Sequence, residues 1–105
     1  MKYQQAKERA KVLKALAHPM RILIVEALKN KDLCGRELCA LGSINQSNVS
    51  RHIAMLKRAG IISDRRIGES VLYRLETPSV LAMFESAAKA VRRDIQRRIE
   101  RTKAV

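Results

Sequence analysis

The chain has 105 residues, enough for one domain, and carries a formal net charge of +12 from 22 lysines and arginines against 10 acidic residues. Its 47% apolar content supplies a core, but no run approaches the roughly 20 apolar residues of a membrane span, and Met1-Lys2-Tyr3-Gln4 opens no secretion signal. These properties argue against membrane-spanning and secreted, disulfide-stapled classes. They favour a cytoplasmic protein with a polyanionic partner and no membrane contact, whose Cys34 and Cys39 are thiols. A lone core of this size is marginal, and a dimer would bury more.

In chain order, Tyr3, Ala6, Ala10, Leu13 and Ala17 recur at 3,4,3,4 spacing and predict an amphipathic helix that ends at His18-Pro19. Pro19 then opens a second helix. Its stretch Met20 to Lys29 holds Ile22, Leu23, Ile24, Val25, Ala27 and Leu28, apolar on nearly all sides, so it is expected at the buried centre. Asn30-Lys31-Asp32 reads as a turn and Leu33 to Leu41 as a short third helix that Gly42-Ser43 ends.

Asn45 to Leu56 is the most informative stretch of the chain. Polar residues open it, and Val49, Ile53 and Leu56 form an apolar stripe at i, i+4, i+7 for packing on a core. The opposite face carries Ser47, Arg51, Ala54 and Arg58, flanked by Asn48 and Ser50. Small and hydrogen-bonding residues let a helix lie against base edges, and arginine matches guanine or a phosphate with two parallel hydrogen bonds. With the short helix before it, this makes a helix-turn-helix. Gln46, Ser47, Asn48, Ser50, Arg51 and Arg58 are the candidate contacts to double-stranded DNA. His52 lies nearer the apolar stripe and reads either as a packed histidine hydrogen-bonded to backbone or as a further DNA contact. His18 reads as a helix-boundary residue.

Ile61 to Ile67 and Ser70 to Leu75 are β-prone, and Gly68-Glu69 fits a two-residue hairpin turn. Val71, Tyr73 and Leu75 alternate inward, while Arg65 and Arg66, with Arg74 nearby, make the hairpin a basic wing that adds two candidate DNA contacts, Arg65 and Arg66. From Ser79 the chain is helical again, with Leu81, Phe84, Ala88, Val91 and Ile95 in a second 3,4,3,4 stripe that a small domain has no evident use for. Pairing with a second copy would bury this stripe and that of the first helix. Lys89, Arg92, Arg93, Arg97, Arg98, Arg101 and Lys103 make a basic tail whose end is expected to fray. The expected fold is therefore mainly α with a small β-hairpin: a dimeric winged helix-turn-helix, α-α-α-α-β-β-α, as one domain over 1–105.

Three segments resemble the ArsR/SmtB family of winged-helix repressors. They are Ala15-Leu16-Ala17-His18-Pro19-Met20-Arg21-Ile22-Leu23-Ile24, the run from Gln46 to Gly60, and the wing from Arg65 to Leu75. The resemblance covers about Ala10 to Ile95 and implies a homodimer that sits on a palindromic operator and leaves it when an inducer binds. Its arsenic branch has the pattern Leu-Cys-Val-Cys-Asp-Leu-Cys at the third helix. This chain reads Leu33-Cys34-Gly35-Arg36-Glu37-Leu38-Cys39 there, with both outer cysteines kept and Arg36 in place of the middle one. The resemblance thus makes Cys34 and Cys39 candidate ligands for trivalent arsenic, antimony or an organoarsenical as inducer, with no resident cofactor. The helix from Ser79 contains no histidine, so no zinc ligand of the zinc-sensing branch carries over.

The residues themselves leave other readings of the thiols open. Cys34 sits at the amino-terminal edge of a helix beside Arg36, a setting that favours a thiolate. Cys39 lies about 140° around a regular helix from it, so the sulfurs converge only if the first turn unwinds. A redox-sensing pair is the second reading, and a small buried hydrophobe beside an inert exposed thiol the third. A nonspecific nucleic-acid-binding protein would use the same charge without an operator. A thiol enzyme is disfavoured, since the chain has no phosphate loop, carboxylate pair or nucleophile elbow.

Overall fold

The computed structural model describes residues 1–42 and 46–103, the side chains of residues 46 and 47 excepted. Helix α1 spans Tyr3–Leu16 and ends as expected ahead of His18-Pro19. The stripe Tyr3, Ala6, Leu13 and Ala17 is exposed, with Ala10 half-buried, while Val12, Ala15 and Leu16 on another face meet the core. Helix α2, Pro19–Ala27, has His18 as its N-cap, whose Nδ1 accepts the Met20 N–H at 3.0 Å. Proline at the first helical position loses no hydrogen bond there. Met20, Ile24, Val25 and Leu28 are buried, but Ile22 and Leu23 are 37% and 46% exposed. The all-apolar helix therefore buries one face and not its whole circumference.

The third expected helix is shorter than its sequence suggests. Leu33–Cys34 is a strand, β1, and only Gly35–Cys39 is helical, as α3. Strand β1 pairs antiparallel with the hairpin, Leu33 opposite Tyr73 and Cys34 opposite Leu72. A hairpin edge left unpaired exposes a row of backbone groups, and two residues of β1 cover part of it while burying Leu33. Residues 43–45, where the sequence places the end of α3 and the opening of the next helix at Asn45, lie outside the described residues, as does the chain end expected to fray.

Helix α4, Gln46–Arg58, buries Val49, Ile53 and Leu56 as its stripe predicts. It stops in a Schellman turn: the Ile61 N–H reaches back to the Leu56 carbonyl at 3.0 Å and the Gly60 N–H to Lys57 at 2.9 Å. Gly60 takes the left-handed conformation this requires, φ 77°. Strands β2, Ile62–Ile67, and β3, Ser70–Leu75, form the expected hairpin with Ile67 opposite Ser70. At its tip Gly68 has φ 61° and Glu69 no positive φ, the form of two-residue turn that wants glycine first. The sheet order is β1-β3-β2.

Helix α5, Val80–Lys103, has two halves. Val80 is buried and Leu81, Met83 and Phe84 pack on the same core as α2 and α4, so the first half of the stripe does find a use inside the domain. Beyond it Val91, Ile95 and Ile99 are 58%, 49% and 43% exposed, and that half of the stripe joins no core among the described residues. Among the described residues no helix is long and apolar enough to cross a membrane.

Candidate nucleic-acid interface

One face of α4 is fixed in the core, which decides where the other points. Asn48, Ser50, Arg51, Ala54 and Arg58 are all exposed, as the helical spacing predicts. Gln46 and Ser47 belong to the same helix, but their side chains lie outside the described residues. Lys57, also exposed, is committed elsewhere: its Nζ donates to Asp64 Oδ2 of β2 at 2.6 Å, which raises its pKa. Arg51 and Arg58 therefore supply the positive charge on this surface. Asp64 cancels a charge at the root of the wing.

His52 is turned inward, only 9% exposed, and so is not among the side chains this face presents. Its ring lies 4.2 Å from that of His18, centroid to centroid, and its Nδ1 accepts from Arg21 Nε at 3.1 Å. The partner is thus a side chain of α2 and not the backbone. Arg21 in turn donates through Nη1 to the carbonyls of Lys14 and Ala15, at 3.4 Å each, at the end of α1 where helical carbonyls have no partner of their own. Burial, together with His18, Arg21 and Arg51, lowers the pKa of His52 from its ordinary 6.5. The role of Arg21 was missed in the sequence, although a lone cation in a helix that is apolar apart from it and Glu26 is the signal that could have found it.

The wing arginines divide into two kinds. Arg65 Nη2 donates to Asp32 Oδ2 at 3.1 Å, and Arg74 donates to both oxygens of the same carboxylate, Nε at 3.2 Å and Nη2 at 3.1 Å. Asp32 directly precedes β1, so this clamp joins β1 to both strands of the hairpin. Arg66 is exposed, and no ion pair holds it among the described residues. Asp32 was likewise read only as part of a turn, because its role depends on a strand of two residues that sequence periodicity does not reveal.

The two cysteines are free and half-buried, at the two ends of α3. Cys34 is the N-cap of α3 and borders a surface hollow of about 360 Å³ with Arg36, Ser70, Val71 and Tyr73. Cys39, at the other end of α3, packs against the core. The Cys34 N–H donates to Glu37 Oε1 at 3.0 Å, and hydrogen bonds from Cys34 hold the Glu37 carboxyl below the usual range. Arg36 is thus not the only charge beside this thiol. Among the described residues no group of three or more His, Cys, Asp or Glu side chains is placed to hold a metal ion.

A core-locked helix with an exposed polar and arginine face, preceded by a short helix and followed by a basic hairpin, defines a winged helix-turn-helix DNA-binding protein. The family description "Bacterial regulatory protein, arsR family" matches residues 18–64, from the N-cap of α2 into β2. The chain is 33% identical over 94 residues to the HTH-type transcriptional regulator Rv0081 of Mycobacterium tuberculosis, covering 89% of this chain and 82% of that one. It is 31% identical over 88 residues to the SmtB homolog of Synechocystis, a transcriptional repressor, covering 84% and 67%. The crystal structure of Rv0081 superposes with a TM-score of 0.77 at 32% identity over 93% of this chain and 99% of that one. For the repressor BigR from Xylella fastidiosa the TM-score is 0.73 at 28% identity over 83% and 89%. The chain belongs to the ArsR/SmtB family of winged-helix transcriptional regulators.

Proposed function

We propose that this chain is a cytoplasmic homodimeric repressor that reads a two-fold duplex operator with α4 and steadies it with the wing. The observation that carries the reading is the division of α4: Val49, Ile53 and Leu56 are fixed in the core, so Asn48, Ser50, Arg51, Ala54 and Arg58 can only face outward. Gln46 and Ser47, one turn earlier, complete the base and phosphate contacts, and Arg66 and Arg65 reach the backbone. Exposed Val91, Ile95 and Ile99 of α5, with Tyr3 and Leu13 of α1, supply the seam for a second copy. The test is competition between a palindromic duplex selected by the full chain and a random one of equal length. Preference for the palindrome, lost in Val91→Glu together with the dimer, is the expected result; equal affinity for both duplexes would leave only a nonspecific binder.

Cys34 and Cys39 are the proposed inducer site, taken by trivalent arsenic, antimony or a mono-organic arsenical. The short length of α3 supports this. A soft ion bridging both sulfurs has to unwind it, and unwinding withdraws the fully buried Leu38 from the core it shares with Val49, Ile53 and Leu56. Sensing and release of α4 would then be one event. Titration of the DNA-bound protein with trivalent arsenicals decides it: Cys34→Ser and Cys39→Ser should both bind DNA and both fail to let go. Release of either variant at wild-type inducer concentration overturns the two-thiol site.

A further inference from the structure

Among the described residues, a part-buried polar cluster behind α4 is used by neither DNA contact nor thiol chemistry. It joins three helices: α1 through the carbonyls of Lys14 and Ala15, α2 through Arg21 and its N-cap His18, and α4 through His52. Every hydrogen bond in it has a direction. The Nδ1 of His18 accepts from the Met20 N–H, and the Nδ1 of His52 accepts from Arg21 Nε. Arginine has no acceptor and cannot lose its proton, so His52 can keep this bond only with an unprotonated Nδ1. A protonated His52 would present a donor to a donor.

The geometry points to Arg21, His18 and His52 as a positioning unit that holds α4 in its DNA-reading orientation only while His52 is uncharged. This rests on the reading of α4 as the recognition helix. The charged and titratable groups that act most strongly on His52 are all basic: His18 at the N-cap of α2, Arg21 on α2, and Arg51 on its own helix. None of these three offsets a positive imidazole. A proton on His52 therefore breaks the Arg21–His52 bond that ties α2 to α4, places a third cation beside Arg21 and Arg51, and pushes His52 against His18 at ring contact. Arg21 cannot follow, because its Nη1 is engaged with the end of α1. The recognition helix is released at its middle turn, one residue from Arg51.

This differs from a plain packing role in its dependence on pH. If binding-competent α4 requires neutral His52, apparent operator affinity falls with the neutral fraction, by up to about tenfold for each pH unit below the transition. Affinity for random duplex, which needs only positive charge, does not fall. The experiment measures anisotropy of the full chain with its selected palindromic duplex and with random duplex at constant ionic strength, from about pH 8 to about pH 5. For the wild type the ratio of the two affinities should drop at least about tenfold across that range. His52→Asn keeps an acceptor at the δ position and cannot titrate, so it should match wild type at the alkaline end and stay within about twofold across the range. Arg21→Met should lower the ratio already at the alkaline end.

A His52→Asn ratio that falls as the wild-type ratio does, or a wild-type ratio that stays flat, overturns the inference. Should His52→Asn not fold, nitrogen NMR of the wild-type imidazole replaces it: His52 must carry its neutral-form proton on Nε2 and titrate below the ordinary 6.5 of an imidazole, and an Nδ1-protonated form would overturn the inference equally. Arg51→Ala separates the two readings. If it leaves operator affinity unchanged, α4 is not the recognition helix; if it weakens binding while the His52→Asn ratio falls with pH as the wild-type ratio does, only the positioning unit fails.

Discussion

Helices α4 and α3 are neighbours on one core, yet they are held in different ways. Helix α4 has 13 residues, three fully anchored apolar side chains, a Schellman stop at Gly60 and a tie to α2 through His52. Helix α3 has five residues, one buried side chain, Leu38, and one carboxylate bond at its start. The difference teaches where each task can be placed. A recognition surface must present side chains at fixed spacing, which needs a rigid helix. A sensor must be able to change shape at small cost, which a single turn of helix can do.

The sharpest way to break this comparison is through stability. Leu56→Ala removes a side chain with no exposed surface and should lower unfolding free energy by about 2–5 kcal/mol. Cys39→Ser, at a half-buried position of α3, should cost about 1 kcal/mol or less. Urea melts of the two variants check this, and equal losses would mean that α3 is anchored as firmly as α4. Next in size is DNA affinity. Arg51→Ala should weaken operator binding by about 1–3 kcal/mol if the guanidinium reaches a base, whereas Arg36→Ala on α3 should stay within about 0.5 kcal/mol. A loss at Arg36 comparable to that at Arg51 would place α3 in the interface.

How legible each region was follows from the same contrast. The α4 stripe, the Gly68 turn and the hairpin register are local patterns, and Val49, Ile53, Leu56 and the pairing of Ile67 with Ser70 lie where spacing puts them. Strand β1 was invisible because two residues carry no period, and Leu33–Cys34 is a strand only because β3 offers it an edge. The α5 stripe was legible as a stripe but not in its division: Leu81 and Phe84 join the core and Val91 and Ile95 do not, which depends on where α5 leaves the domain. The role of Arg21 and the Asp32 clamp are tertiary facts. The relation between Cys34 and Cys39 is of the same kind, since spacing gives their angle on an ideal helix and the first of them is not in the helix at all.

The wing sharpens the comparison at smaller amplitude. Arg66→Ala should reduce the slope of log affinity against log salt by about 1, because its guanidinium is free for a phosphate. Arg65→Ala should reduce it less, since its guanidinium is already engaged by the carboxylate it shares with Arg74, and should instead loosen β1 from the hairpin. Binding isotherms at graded salt distinguish them. Equal slopes for the two variants would mean that the clamp opens on DNA.

The smallest effect separates α3 from α4 on the pH axis. Glu37 has its folded pKa lowered from the ordinary 4.5 by hydrogen bonds from Cys34, so its contribution is complete above that value and is lost as pH falls through the lowered one. His52 also has a lowered pKa, but as a base: the folded protein resists a proton that the unfolded chain accepts from 6.5 downward, so stability starts to fall there and continues to fall until the lowered value is reached. Acidification should therefore loosen α4 first and the start of α3 later. Hydrogen exchange, corrected for the intrinsic pH dependence of the amide rate, reads both directly. Protection of the α4 amides should decline as pH passes below 6.5 in the wild type and not in His52→Asn, while local protection of the Cys34 amide should decline only below 4.5 and be weak at every pH in Glu37→Ala, which has no acceptor. If the Cys34 amide loses protection together with α4 and Glu37→Ala leaves it unchanged, the carboxylate is not what holds α3, and the helix takes its stability from Leu38 and the sheet alone.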